Sequence, residues 1–268
     1  MKPILNFILL ILFLLYPLQA KELEKVSLQL QWFDQFQFAG YYIAKEKGFY
    51  KEAGLDVEIK KFDYGITSIN EVLNGKATYG IGCSSLIIDK SLGKKINLLA
   101  SIFQSSPSVL LARKDSNINS ISNEPFILKE KGIKYTVFDP KDYGFDFYSD
   151  ILFTSSDEIK NHKQRAINFK KASLKGWEYA FKHIDESVEL ILQKYNSQKK
   201  SKKALLFEAE ALKELAFYEN KELGNIDIGK LERIDNIYNT LGLVENPIDF
   251  TEFIVIEKKS IGFLPARE

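Results

Sequence analysis

Apolar and polar positions alternate from Val26 onward. Val26, Leu28 and Leu30 are separated by Ser27, Gln29 and Gln31, which predicts a strand over 26–31. The spacing then changes. Tyr42, Ile43, Phe49 and Tyr50 anchor a predicted helix over 39–53, and Gly54 stands in the usual closing position. Leu55, Val57 and Ile59 alternate with acidic residues and predict a strand over 55–59. Thr67 or Ser68 is placed to cap a short helix running to Leu73, ended by Asn74 and Gly75. A strand over 79–82 leads to Ser84 or Ser85 as the cap of a helix over 86–92, which Gly93 ends. Strands over 97–102 and 108–112 follow.

After Asp115 the pattern loosens. Residues 117–123 are polar and turn-like. A helix over 125–131, a strand over 135–138, a turn over 139–144 and a strand over 150–154 come next. The remainder reads as helix over 157–183, 185–195, 202–215 and 228–241, with no internal repeat. Strands and helices alternating through short links predict an α/β fold with a largely parallel sheet and helices on its faces. Ligands of such sheets sit outside the carboxyl ends of the strands. The segments to inspect are therefore 32–38, 62–68, 82–85 and 103–107.

The first twenty residues differ from the rest. Lys2 precedes an apolar run over 4–15, then Tyr16, Pro17, Leu18, Gln19 and Ala20. This is the pattern of a secretory signal cut after Ala20, and the run is shorter than a membrane span of about 20 residues. An uncleaved anchor is the alternative, since Leu18 is large for a residue three before the cut. No cysteine stands near the cut to carry a lipid. The chain beyond Ala20 is expected to be exported and soluble. At about 100–200 residues per domain, it makes one large domain or two small lobes.

Composition narrows the chemistry. Charged residues make up 27% of the chain, yet the net charge is only +1. That leaves no basic face for nucleic acid. Cys83 is the one cysteine, so neither an internal disulfide nor a structural zinc site is expected. It reads as a buried small residue rather than a nucleophile, because no histidine is near in sequence. His162 and His183 lie in charged helical surroundings and read as surface residues. No catalytic residue, metal or cofactor is expected.

Two segments carry binding chemistry. Over 31–38, Gln31, Trp32, Gln35 and Phe38 place flat rings and amides at a strand end, where a heterocycle could stack while amides bond its edge. The alternative is that the rings are core. Over 80–85, two glycines allow close backbone approach, and Ser84 and Ser85 stand beside the first amides of a helix. A plain helix cap is the alternative there.

These residues also carry a resemblance. QWFDQFQFAGYYIAKEKGFYKEAGLDVEI, GKATYGIGCSSLIIDKSLGKKI, NEPFILKEKGI, DYGFDFYSDILFTS and ASLKGWEYA resemble, in order, the NMT/THI-like proteins. That family includes periplasmic binding proteins of ABC importers for pyrimidine precursors of thiamine. The resemblance implies a type II periplasmic-binding-protein fold, with two α/β lobes and a ligand between them. It implies a periplasmic monomer that binds a small pyrimidine-like heterocycle and meets an importer permease. Trp32 resembles the ring-stacking residue, Ser84 and Ser85 resemble polar contacts, and Glu124 resembles a carboxylate that accepts from an aminopyrimidine. The alternative for Glu124 is a charge at a helix start.

The family also includes a pyrimidine synthase. This chain has Gly82 where that enzyme's cofactor lysine aligns and Leu86 where its donor histidine aligns. Residues 144–149 replace its cysteine-rich motif. Without the amine no Schiff base forms. A second departure is in length. Only 114–123 separates the strand that enters the second lobe from the segment that returns. The expected organisation is a signal over 1–20, a first lobe over 21–115 and 150–255, and a remnant of a largely missing second lobe over 116–149. A one-lobed remnant or sensor module without strong ligand binding is the reading that this shortening favours.

Overall fold

The computed structural model describes residues 22–113, 119–120, 128, 132 and 134–255. The predicted signal, Glu124 and, apart from Leu128, the helix expected over 125–131 lie outside the described residues.

A five-stranded sheet organises the chain. Its strands are β1 (Glu24–Gln29), β2 (Leu55–Lys60), β3 (Tyr79–Gly82), β4 (Ile96–Phe103) and, much later, a strand at Ser149–Ser155. A small second sheet intervenes, built from β5 (Leu110–Arg113), β6 (Asn119–Ser120) and β7 (Tyr135–Phe138) in the order β6-β5-β7. The strand at Ser149–Ser155 is therefore β8, and the large sheet runs β2-β1-β3-β8-β4. Strands β1, β2 and β3 pair in parallel, whereas β8 is antiparallel to both β3 and β4. The sheet is thus mixed, with one reversed strand in an otherwise parallel set. The reason is topological. The chain leaves at the carboxyl end of β4, forms the small sheet, and re-enters from that same edge. Side-chain periodicity reports a strand but not its direction.

Helices cover both faces. One face carries α1 (Ala39–Glu46), α2 (Phe49–Glu52), α5 (Ser156–Lys182), α6 (Ile184–Lys194) and α7 (Lys202–Ala216); the other carries α3 (Ser68–Leu73), α4 (Leu86–Ser91), α8 (Ile228–Thr240) and α9 (Phe250–Phe253). Alternation along the strands divides the core. Tyr79, Ile81 and Leu152 join the first face, and Ile151 and Phe153 join the second. A bulge between Leu98 and Ala100 lets Leu98 face one core while Leu99 and Ala100 both serve the other.

Local chemistry accounts for the element ends. The helix expected over 39–53 is two helices, because Gly48 takes a left-handed conformation (φ 79°) between them. The Thr67 hydroxyl accepts from the Asn70 amide and starts α3. Ser155 caps α5 by accepting from the Glu158 amide at 3.2 Å. Helix α5 is kinked at His162, whose φ of −138° is not helical.

Helix α5 reaches α1 at a glycine contact. A Cβ on Gly176 would meet the Gly40 carbonyl oxygen at 2.1 Å, and one on Gly40 would meet the Trp177 ring at 2.1 Å. The wholly buried Trp177 indole thus lies directly on the α1 backbone. Tyr79 and Phe169 stack at 3.9 Å, which fixes α5 over β3.

Candidate functional site

The carboxyl ends of β1 to β4 and the beginning of β8 share one edge of the sheet. Four rings cluster there. Trp32 lies 5.6 Å from Phe33 and 5.2 Å from Phe62, Phe33 lies 5.0 Å from Phe62, and Tyr64 lies 5.5 Å from Phe33. Trp32 is 38% exposed and Tyr64 is 76% exposed. Neighbouring rings hold Trp32 in place, yet part of its surface remains open. That arrangement suits stacking of a flat ligand.

The other aromatics of this segment have a different role. Phe36 and Phe38 are wholly buried in the main core. The expectation that Phe38 meets a ligand is corrected: its ring has no open face, because it anchors the short turn before α1. The core-packing alternative holds for these two rings and not for Trp32.

A buried carboxylate at the start of β8 is bonded by Gln31, the residue before Trp32. Asp150, the second residue of β8, has no exposed surface. Gln31 Nε2 donates to its Oδ1 at 3.2 Å. Gln37 Nε2 reaches Oδ1 at 2.9 Å and Oδ2 at 3.1 Å, and Ser149 Oγ donates to Oδ2 at 2.9 Å. Asp150 has a positive φ of 54°, a conformation in which Asp and Asn are among the better-tolerated residues. Burial pushes its carboxyl up to about 7, while the bonds from Gln37, Ser149 and Gln31 oppose that rise.

The network continues inward. Gln35 Nε2 donates to Gln37 Oε1, and Gln35 Oε1 accepts from Lys200 Nζ at 2.6 Å. Lys200 also pairs with Glu208 at 3.2 Å, and burial raises the Glu208 carboxyl above its ordinary value. Gln35 is buried and both ends of its amide are bonded within the protein. It supports the site from behind and does not face a ligand.

The β3 turn also differs from expectation. Ser84 is buried, and its hydroxyl donates to the Tyr148 carbonyl at 2.8 Å, which ties this turn to β8. The amides of Leu86 and Ile87 bond the carbonyls of Cys83 and Ser84, both at 3.0 Å. The helix start is therefore self-satisfied, and no side-chain cap is made by Ser85. Ser85 is exposed, with its hydroxyl 3.3 Å from the Cys83 sulfur. Cys83 itself is exposed, against the expectation of a buried thiol, because Gly82 and Leu86 take the inward space. A Cβ on Gly82 would meet Leu86 Cδ1 at 2.9 Å.

Residues not singled out from sequence complete the edge. Lys230 Nζ donates to the Gln104 carbonyl at 2.6 Å and to the Asp146 carboxylate, and sits 4.8 Å above the Tyr148 ring. Ser105 Oγ donates to Asp146 at 2.7 Å. Gln104, Asp146, Tyr148 and Lys230 line a cavity of about 80 Å³ beside the start of α8. His162, at the kink of α5, and His183, between α5 and α6, are both exposed, as expected of surface residues. Among the described residues no cluster of three His, Cys, Asp or Glu side chains could hold a metal, and no helix is long and apolar enough to cross a membrane.

The mixed α/β sheet with helices on both faces has the periplasmic-binding-protein fold. A sulfonate-binding SsuA protein of Methylobacillus flagellatus KT has the same fold, with a TM-score of 0.62 at 13% identity over 88% of this chain and 92% of that one. The family follows from sequence. The NMT1/THI5-like profile matches residues 35–123 and 121–187, more than half of the chain, and the protein belongs to that family. A formylaminopyrimidine-binding protein of Halalkalibacterium halodurans is 20% identical over 232 residues, covering 63% of this chain and 70% of its own. The riboflavin-binding protein RibY of Chloroflexus aurantiacus is 27% identical over 109 residues, covering 38% of this chain and 30% of its own.

Proposed function

We propose that this protein is a solute-binding protein that holds a flat nitrogen heterocycle of the aminopyrimidine class against Trp32. Gln31 and Ser85 are the open polar groups proposed to meet the ligand, Glu124 is a further contact by its resemblance to the family's carboxylate, and Ser84 and Gln35 support the edge through their hydrogen bonds within the protein. The observation that carries the reading is the half-open indole of Trp32, fixed by Phe33 and Phe62 at the carboxyl edge of the sheet. The two named relatives are binding proteins for a pyrimidine and for a flavin, both flat nitrogen heterocycles, which favours this ligand class. Export through residues 1–20 to the periplasm and delivery to an ABC importer permease complete the proposal, with the protein acting as a monomer.

Catalysis has no support at the positions where the related synthase carries its chemistry. Gly82 offers no amine, and the space above it is filled by Leu86.

A second reading is favoured by one observation. Only residues 114–123 separate β5, which enters the small sheet, from the segment that resembles the family's returning one. We take the segment 116–149 as the remnant of a second lobe. A ligand held on one face falls short of the roughly 70–90% burial of an enclosed site, and its affinity falls accordingly. Calorimetric titration with a formylaminopyrimidine and a hydroxymethyl aminopyrimidine tests both readings. Saturable heat at micromolar concentrations supports the binding protein. Absence of heat at millimolar protein and ligand overturns it in favour of a remnant.

A further inference from the structure

We infer that Asp150 is the positioning residue of the binding edge: it sets the orientation of the Gln31 amide and so decides which hydrogen-bonding pattern of a heterocycle is accepted. This inference rests on the proposed ligand class and deepens it. An amide side chain has a donor end and an acceptor end, and its partners decide which way it faces. Gln31 commits Nε2 to the buried carboxylate at 3.2 Å. A carboxylate accepts only, so the opposite orientation would set two acceptors against each other. The Gln31 side chain is half-exposed and directly precedes Trp32, and its Oε1 receives no hydrogen bond from the described residues. The end left for a ligand is therefore an acceptor. An exocyclic amino group matches it, and a ring carbonyl in the same place opposes it.

The carboxylate is held firmly enough for this task. Gln37 spans both of its oxygens and Ser149 donates to one of them. The Gln37 amide is held in turn by Gln35, and Gln35 by Lys200. Glu208 on α7 adds negative charge nearby, Lys200 offsets it, and the buried Tyr41 hydroxyl of α1 lies within electrostatic reach of Asp150. Protonating Asp150 turns one acceptor into a donor and frees the Gln31 amide to rotate.

Two measurements on the full-length protein decide the matter. The first compares binding of a hydroxymethyl aminopyrimidine with that of its 4-oxo analogue. Wild type is expected to prefer the amino compound by tenfold or more, and Asp150→Asn, whose amide can donate to Gln31, to shrink that ratio at least tenfold. A ratio unchanged in a folded variant overturns the inference. The second needs no ligand. The side-chain amide resonances of Gln31 and Gln37 should shift together in one transition between pH 3 and 9, and that transition should vanish in Asp150→Asn. Resonances that stay still overturn the inference. If wild type binds neither compound, the proposed function fails, and the resonances still decide the role of Asp150.

Discussion

The indole of Trp32 lies 5.2 Å from the ring of Phe62, tilted by 34°. Phe62 follows β2 and Trp32 follows β1, so the parallel pairing of those strands brings the two rings together. Phe62 supports one side of the indole, and the open remainder is the stacking surface. Replacing Trp32 by Ala should weaken aminopyrimidine binding by about 1–3 kcal/mol, the range found for bases stacked on aromatic side chains. That is roughly 5- to 150-fold in Kd. Trp32→Phe should lose less. Fluorescence can follow this directly, because the other tryptophan, Trp177, is wholly buried. Ligand-dependent quenching should disappear in Trp32→Ala and persist in a Trp177-lacking protein that remains folded.

Cys83 provides an independent probe of the same edge. It is exposed and follows β3 directly, next to Ser84 and Ser85. Native protein should take up one equivalent of N-ethylmaleimide without denaturant, and Cys83→Ser should take up none. A ligand seated on this edge should slow the labelling several-fold at saturation. Labelling that needs denaturant would contradict the exposed position. Labelling unaffected by a bound ligand would move the site away from β3.

The contact of α1 with α5 should tolerate no added volume. A Cβ at position 40 would meet three atoms of the Trp177 ring at 2.1–2.4 Å. Trp177 has no room to move, because Tyr41 and Phe103 each pack against it at 5.7 Å. Gly40→Ala should therefore destabilise the fold by about 1–3 kcal/mol or more, the usual cost of overpacking. Helix propensity alone would favour Ala by about 1 kcal/mol, so the sign of the measured change separates the two effects. Urea unfolding gives that sign.

Most elements of this fold were legible in the chain because side-chain periodicity reports them locally. The strands at Tyr79–Gly82 and Tyr135–Phe138 have the bounds their spacing predicts. Strand direction was not legible: β8 reverses because of where the chain re-enters the sheet, which depends on the whole path. The site divides in the same way. Trp32 stood out as a large ring at a strand end, but Phe38, in the same short run, belongs to the core. Facing is decided by the turn over Phe36–Phe38, a three-residue element with no periodicity to read. Asp150 was hidden for another reason. A carboxylate at the start of a strand reads as a solvated end, and its partners Gln31 and Gln37 lie 119 and 113 residues away in sequence.

Asp150 should also make stability depend on pH in an uncommon direction for a carboxylate. Burial raises its carboxyl to about 7, against roughly 3.9 in an unfolded chain. Between those values the folded protein binds the proton and the unfolded chain does not. The slope of unfolding free energy with pH is then negative. The contribution is fully present below about pH 4 and is lost as pH rises toward 7. At 1.36 kcal/mol per unit, the loss approaches about 4 kcal/mol, an upper bound for this group alone. Glu208, raised by burial in the same direction, adds to the slope. Asp150→Asn keeps a residue suited to the positive φ and has no proton to lose. Urea unfolding at pH 4.5 and 7.5 should therefore show wild type losing more stability than the variant as pH rises. Equal losses would mean that the Asp150 carboxyl titrates as an ordinary exposed carboxyl, with water reaching it past Gln31 and Gln37.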